Sequence, residues 1–165
     1  MVTKIIIKWL SLPYLFIVVY MTFSLCLHGS SLFFYTLFPI TWYEKGLKEV
    51  AIAEDDLYFT HLNGWQWFLK NKPKGYDLYL AGTYIVPVEQ KQIVGFHLYM
   101  VHEKFYDTFL SVPDNVHIDT HMNELKGDYH FCYPMAALQR SGWSSNNHAV
   151  CDYNKVLRPQ DIYTG

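Results

Sequence analysis

The sequence predicts an α+β protein built as an N-terminal transmembrane helix followed by a small domain with an antiparallel sheet. Three observations carry this. Positions 9 to 43 contain no Asp, Glu, Lys or Arg, although the chain has 15 acidic and 13 basic residues in its 165. Residues 44 to 70 read as helical stretches, with Leu47, Val50 and the run from Ile52 to Leu57 able to share a face. After Asn71-Lys72-Pro73-Lys74-Gly75, a turn by composition, the apolar period changes to two. Helices followed by strands indicate α+β. The charge division places an anchor and interfacial segment over 1–43 and one globular domain over 44–165.

Within the anchor, Lys4 and Lys8 precede the stretch Trp9 to Leu27. A helix of that length spans about 28 Å, close to a hydrocarbon core. Pro13 falls in its first turns, where a missing N–H costs least. The stretch is longer than the usual 7–15 residue core of a cleaved signal peptide. It is therefore expected to stay as a signal-anchor rather than be removed near Ser30. Leu32 to Tyr43 is apolar again, but Pro39 and its shortness argue for an interfacial or partner-covered segment. Leaving it in water would cost on the order of 25 cal/mol per Å² of apolar area. Phe34, Phe38 and Trp42 are the expected partner contacts there, and Trp65 and Trp67 in the domain.

The domain is expected to run through five strands. They are Tyr76 to Val88 with Gly82 as a bulge, Ile93 to His102, Tyr106 to Val112, Val116 to Thr120 and Asp128 to Tyr133. The tail from Arg140, rich in Ser, Asn and Gly, reads as irregular.

Orientation is nearly tied by Lys4 and Lys8 against Lys45 and Lys48. The domain's two cysteines, Cys132 and Cys151, decide it. An even pair in a small exported domain reads as a disulfide, which forms outside the cytoplasm. Closing that loop would stabilise by about 3 kcal/mol. The absence of any Asn-x-Ser/Thr sequon favours a bacterial periplasm over a eukaryotic secretory compartment.

Chemistry has one candidate group. In a strand, His117, Asp119 and His121 would alternate onto one face, and two imidazoles with a carboxylate accept Zn²⁺ or Fe²⁺. The competing reading is edge histidines that titrate near neutral pH. His130 with Cys132 is a weaker nucleophile–base pairing. No phosphate loop, dinucleotide fingerprint, haem motif or Gly-x-Ser-x-Gly elbow occurs. From residue 44 onward acidic groups outnumber basic ones, which argues against nucleic acid.

The expectation is a non-catalytic, membrane-anchored subunit of a cell-envelope complex. It would need no cofactor, and its partners would be other membrane protein subunits and the lipid bilayer. The alternative is a small zinc or iron protein using His117, Asp119 and His121.

Overall fold

The computed structural model describes residues 16–20, 46–54, 56–84, 93–113, 116, 118–144 and 148–165. A five-stranded sheet forms its centre. The strands are β1 (Phe16–Tyr20), β2 (Glu49–Glu54), β4 (Leu78–Leu80), β5 (Leu98–His102) and β6 (Tyr129–Phe131), in the order β1-β2-β5-β4-β6. The two inner pairings, β2 with β5 and β5 with β4, are antiparallel. The two outer ones, β1 with β2 and β4 with β6, are parallel. The sheet is thus mixed rather than antiparallel throughout. Beside it lie β3 (Leu57–Phe59) paired antiparallel with β7 (Ala137–Gln139), and a hairpin of β8 (Gly142–Ser144) and β9 (Ala149–Cys151).

The segment read as helical between 44 and 70 divides. Among its described residues only α1 (Gly64–Lys70) is helix; residues 49–54 and 57–59 are strands. The cause is visible in β2. Val50 and Ile52 face one core cluster while Ala51 and Ala53 face another. A strand covered on both faces shows no polar alternation, so its continuous apolar run mimics a buried helix. β4 and β5 behave alike. Leu78, Leu80, Tyr99 and Val101 enter the first cluster, and Tyr79, Leu98 and Met100 the second.

Two expected strands are helices. Tyr106–Leu110 forms α2, and Ile118–His121 forms α3. Buried Phe105, Phe109 and Val112 are four and three positions apart, the spacing of a helix face, whereas Thr108 and Leu110 are only half-buried. α3 is held by Asn123, whose Nδ2 donates to Asp119 O at 3.0 Å and to Ile93 O at 3.0 Å, while its Oδ1 accepts from Ile93 N at 2.6 Å. Among the described residues, the expected strands at 76–88, 93–102 and 128–133 appear as β4, β5 and β6, with 85–88 outside the description. The tail is more ordered than its composition implied, with a hairpin and two 3₁₀ turns, Tyr153–Val156 and Pro159–Asp161.

The first cluster lies between the sheet and α2 with Met122; the second lies between the sheet and α1. Phe68 of α1 is sealed and stacks on Tyr79 with ring centres 4.5 Å apart. Gly64 begins α1 because a β-carbon there would stand 2.8 Å from Ala136 O. A third cluster joins Tyr84, Met135 and Leu138 to Tyr153, Leu157 and Ile162 from the tail. Buried Asp161 locks that junction. It accepts from Arg158 Nη2 and Nε at 3.0 and 3.1 Å and from Tyr133 Oη at 2.9 Å, and its carbonyl accepts from Met135 N at 2.8 Å.

Within the N-terminal segment, the described residues 16–20 are extended, not helical, and pair Phe16 with Val50 through Tyr20 with Glu54. The rest of the expected membrane helix, and Leu32 to Tyr43, lie outside the described residues. Among those described, no helix is long and apolar enough to cross a membrane.

Phe68→Ala is expected to destabilise the domain by about 3–5 kcal/mol, the usual cost of emptying a buried aromatic site. Leu62→Ser, at a side chain 96% exposed, should change stability by less than about 0.5 kcal/mol. Denaturant unfolding of the two variants measures both.

Candidate functional site

The most concentrated polar chemistry lies along one edge of β7. Thr60 N bonds to Ala136 O and Arg140 N to Asp56 O, so β3 uses alternate residues of β7. Ala137 and Gln139 turn their main-chain groups to the opposite edge. Side chains meet them there in place of another strand. His97 Nε2 donates to Ala137 O at 2.8 Å, Gln139 N donates to Tyr84 Oη at 2.7 Å, and Asn154 Nδ2 donates to Gln139 O at 2.9 Å. The side chain of Gln139 donates from Nε2 to Asp56 Oδ2 at 2.6 Å.

Local sequence explains how these groups arrive. His97 stands one residue before β5, and its carbonyl accepts from Glu54 N of β2 at 2.9 Å. Two glycines make space for its ring. A β-carbon on Gly82 would stand 2.7 Å from Ala137 O and 3.2 Å from His97 Nε2. Gly95 has φ +92°, and a β-carbon there would stand 2.8 Å from the Tyr84 ring. Tyr84 then packs against His97 with ring centres 5.5 Å apart, and against Tyr153 at 5.4 Å. Asn154 is presented by the 3₁₀ turn Tyr153–Val156, whose start is capped by the Asp152 side chain.

The electrostatics follow from burial. His97 is fully buried, and desolvation pulls its pKa down from 6.5 to about 4, opposed by the bond to Ala137 and the charge of Asp56. Because a carbonyl accepts from Nε2, that nitrogen carries the proton and Nδ1 holds a lone pair. His97 Nδ1, Asp56 Oδ1 and Asn154 Oδ1 are all buried without a hydrogen-bond partner. Burial also raises the Tyr84 hydroxyl pKa, keeping it neutral.

The residues singled out in the sequence are placed elsewhere. Asp119 and His121 sit two apart on α3, a helix and not a strand, so they do not share a face; His117 lies outside the described residues. His121 Nδ1 is 3.3 Å from Glu124 Oε2. Among the described residues no three His, Cys, Asp or Glu side chains gather as metal ligands. Trp65 and Trp67, half-buried on α1, serve the fold. Trp67 stacks on Tyr163 at 4.5 Å and donates from Nε1 to Pro134 O at 2.9 Å, while Trp65 packs on Phe59 and Phe68. Phe34, Phe38 and Trp42 lie outside the described residues.

Cys132 and Cys151 are not joined in the structure. Cys132 is buried in the second cluster with Sγ 3.6 Å from Pro134 O, whereas Cys151 ends β9 on the outer hairpin. Without this bond the disulfide no longer supports an extracytoplasmic domain. Burial pushes the Cys132 thiol up, away from the reactive thiolate, and His130 turns to Asp128 at 3.0 Å. Sequence reasoning missed the Asp56–Tyr84–His97–Gln139–Asn154 group, whose members are far apart in the chain. The one local signal was a histidine two residues after Gly95 among apolar neighbours.

His97 makes stability pH-dependent with a definite sign. Its folded pKa lies below the unfolded value, so between pH 6.5 and 4 the unfolded chain binds the extra proton and stability falls as pH falls. The loss across that window should approach about 3 kcal/mol. His97→Gln should flatten that part of the profile, measured by urea unfolding at stepped pH. An unchanged slope in the variant would assign the effect to other groups.

No protein-family model matches the chain, and no curated protein is similar to it, so its function has to be read from its own residues.

Proposed function

We propose that the chain is a non-catalytic subunit of a cell-envelope complex, anchored in a membrane by its N-terminal segment and acting through protein–protein contacts. The observation that carries the reading is the uncharged run from 9 to 43, longer than the roughly 20 residues one span requires. Its second half, Leu32 to Tyr43, offers nine large apolar or aromatic side chains that lipid or protein must cover.

The domain adds a further supporting feature. Trp143 and Val150 are direct cross-strand partners on the β8–β9 hairpin and are 67% and 76% exposed. An aromatic and a β-branched side chain paired in solvent on a two-stranded hairpin have the composition of a contact surface.

Anchoring has a structural consequence. A helix through residues 9–27 and the extended β1 are mutually exclusive, so entry into a bilayer requires β1 to leave the edge of β2. The register pairs Val18 with Ile52, which makes the two placements separable.

Aspartate at Phe34, Phe38 and Trp42 is expected to release the protein from its complex while leaving it in the membrane fraction, as read by co-purification in mild detergent. In native membranes, a Val18→Cys/Ile52→Cys chain should form little of the 18–52 disulfide under mild oxidation. Near-complete cross-linking there would place residues 16–20 in the sheet and overturn anchoring through this segment.

A further inference from the structure

We propose that the outer face of α1, with the lysine-bearing turn that follows it, is a docking surface for a layer of anionic lipid headgroups. The proposal rests on the membrane-anchored reading for where the domain sits, and adds which face the domain turns to the bilayer.

Charge sets this face apart. Residues 57 to 76 contain Lys70, Lys72 and Lys74 and no Asp or Glu, whereas the rest of the chain from 44 onward carries 8 basic and 15 acidic residues. A basic stretch within an acidic domain complements a negatively charged surface. Helical geometry turns it outward. Gly64 and Phe68 are the buried positions of α1, so Gln66 and Lys70, one turn apart, are exposed on the side away from the core. Lys74 is exposed in the turn beyond.

The ion pairs place this turn beside the point where the chain enters the domain. Lys72 Nζ pairs with Glu49, the first residue of β2. Lys104 Nζ pairs with Asp77 at 2.9 Å and donates to Gly75 O. Asp128, at the same end of the sheet, is 3.0 Å from His130. Among the described residues, the exposed charges left there are Lys48, Lys70 and Lys74 against Glu103. The uncharged run ends at Tyr43, and Leu47 already belongs to the first cluster. Four extended residues span at most about 14 Å, so an anchored chain holds this end of the domain at the headgroup layer. Lysines held that close to a bilayer attract anionic lipid, and the attraction fades within a Debye length.

Apolar groups at the other end of α1 favour lipid over an acidic protein. Leu62, in the turn before the helix, is 96% exposed, and Phe59 is 39% exposed. Half-buried Trp65 stands edge-on to Phe59 with ring centres 6.3 Å apart. Leucine and aromatic side chains beside lysines have the composition of a surface that dips into the boundary between headgroups and acyl chains.

The test places the full chain, with Cys26 and Cys151 changed to Ser, in lipid nanodiscs that carry a spin-labelled headgroup quencher. A fluorophore is attached at Gln66→Cys on α1, or at Ser111→Cys, an exposed position at the end of α2 across the sheet. In discs of phosphatidylcholine mixed with phosphatidylglycerol, the label at 66 should be quenched at least about two-fold more than the label at 111. The difference should vanish in phosphatidylcholine alone and at high salt. The double variant Lys70→Gln/Lys74→Gln should abolish it while leaving the thermal midpoint unchanged. Equal quenching at the two positions would overturn the proposal, as would quenching at 66 that ignores both lipid charge and the two lysines. Failure of anchoring reads out separately, as loss of the chain from the discs on alkaline washing. Flotation with preformed vesicles of the two lipid mixtures then decides the docking surface. Recovery of the wild type with anionic vesicles about ten-fold above the double variant sustains it, and equal recovery of the two proteins overturns it.

Discussion

One buried imidazole ties the two sheet systems of this domain together. The His97 main chain takes a hydrogen bond from β2, its side chain gives one to β7, and the residue leads directly into β5. The five-stranded sheet and the β3–β7 pair therefore meet at a group whose neutral form is favoured by burial. Much of the surrounding sequence follows from keeping that ring in place. Gly82 and Gly95 leave it space, Tyr84 covers it, and Tyr153 with Asn154 brings the tail against it. A strand edge that would otherwise stand unpaired is completed by side chains from three separate parts of the chain, which closes it to pairing with another molecule.

The sheet also explains why each of its faces needs its own helical cover. β2, β5 and β4 send alternate side chains to opposite sides, so neither face can be left to water. The aromatic face of α1 closes one side, with Phe68 on Tyr79. The Phe105, Phe109 and Val112 face closes the other. The abundance of tyrosine has a similar origin. Tyr76, Tyr79, Tyr84 and Tyr106 are buried, and Tyr79 and Tyr106 each donate to a main-chain carbonyl, Phe68 O and Leu47 O. They fill the core with ring area while satisfying a carbonyl in the last turn of α1 and one in the segment before β2.

How much of this was legible beforehand differed by element, for physical reasons. The mixed α and β content, and strands at 78–80, 98–102 and 129–131, followed from alternation and turn chemistry. β2 was read as helix because a strand buried on both faces has no polar phase. Tyr106 to Leu110 was read as strand because two and four residue spacings both find apolar positions in so aromatic a segment. The parallel outer pairings depend on long connections that leave no local trace. The site on β7 is the least legible part. Its members span positions 56 to 154, and what makes them a group is which main-chain atoms β3 leaves unused. The two cysteines illustrate the opposite error, in which spacing implied a bond but folding put one thiol in the core and the other on an outer hairpin.

The dependence of β7 on the tail has a consequence for synthesis on the ribosome. β2, β5, β4 and the helices that cover them are all made before residue 132, and most of their core can assemble while the rest of the chain is still being added. The outer edge of β7 and the third apolar cluster cannot close until Tyr153 through Ile162 have left the exit tunnel. During that interval the Gln139 carbonyl stands without Asn154 and the Tyr84 ring without Tyr153. A nascent chain stalled in this stretch would display an open strand edge, the surface that a holding chaperone recognises.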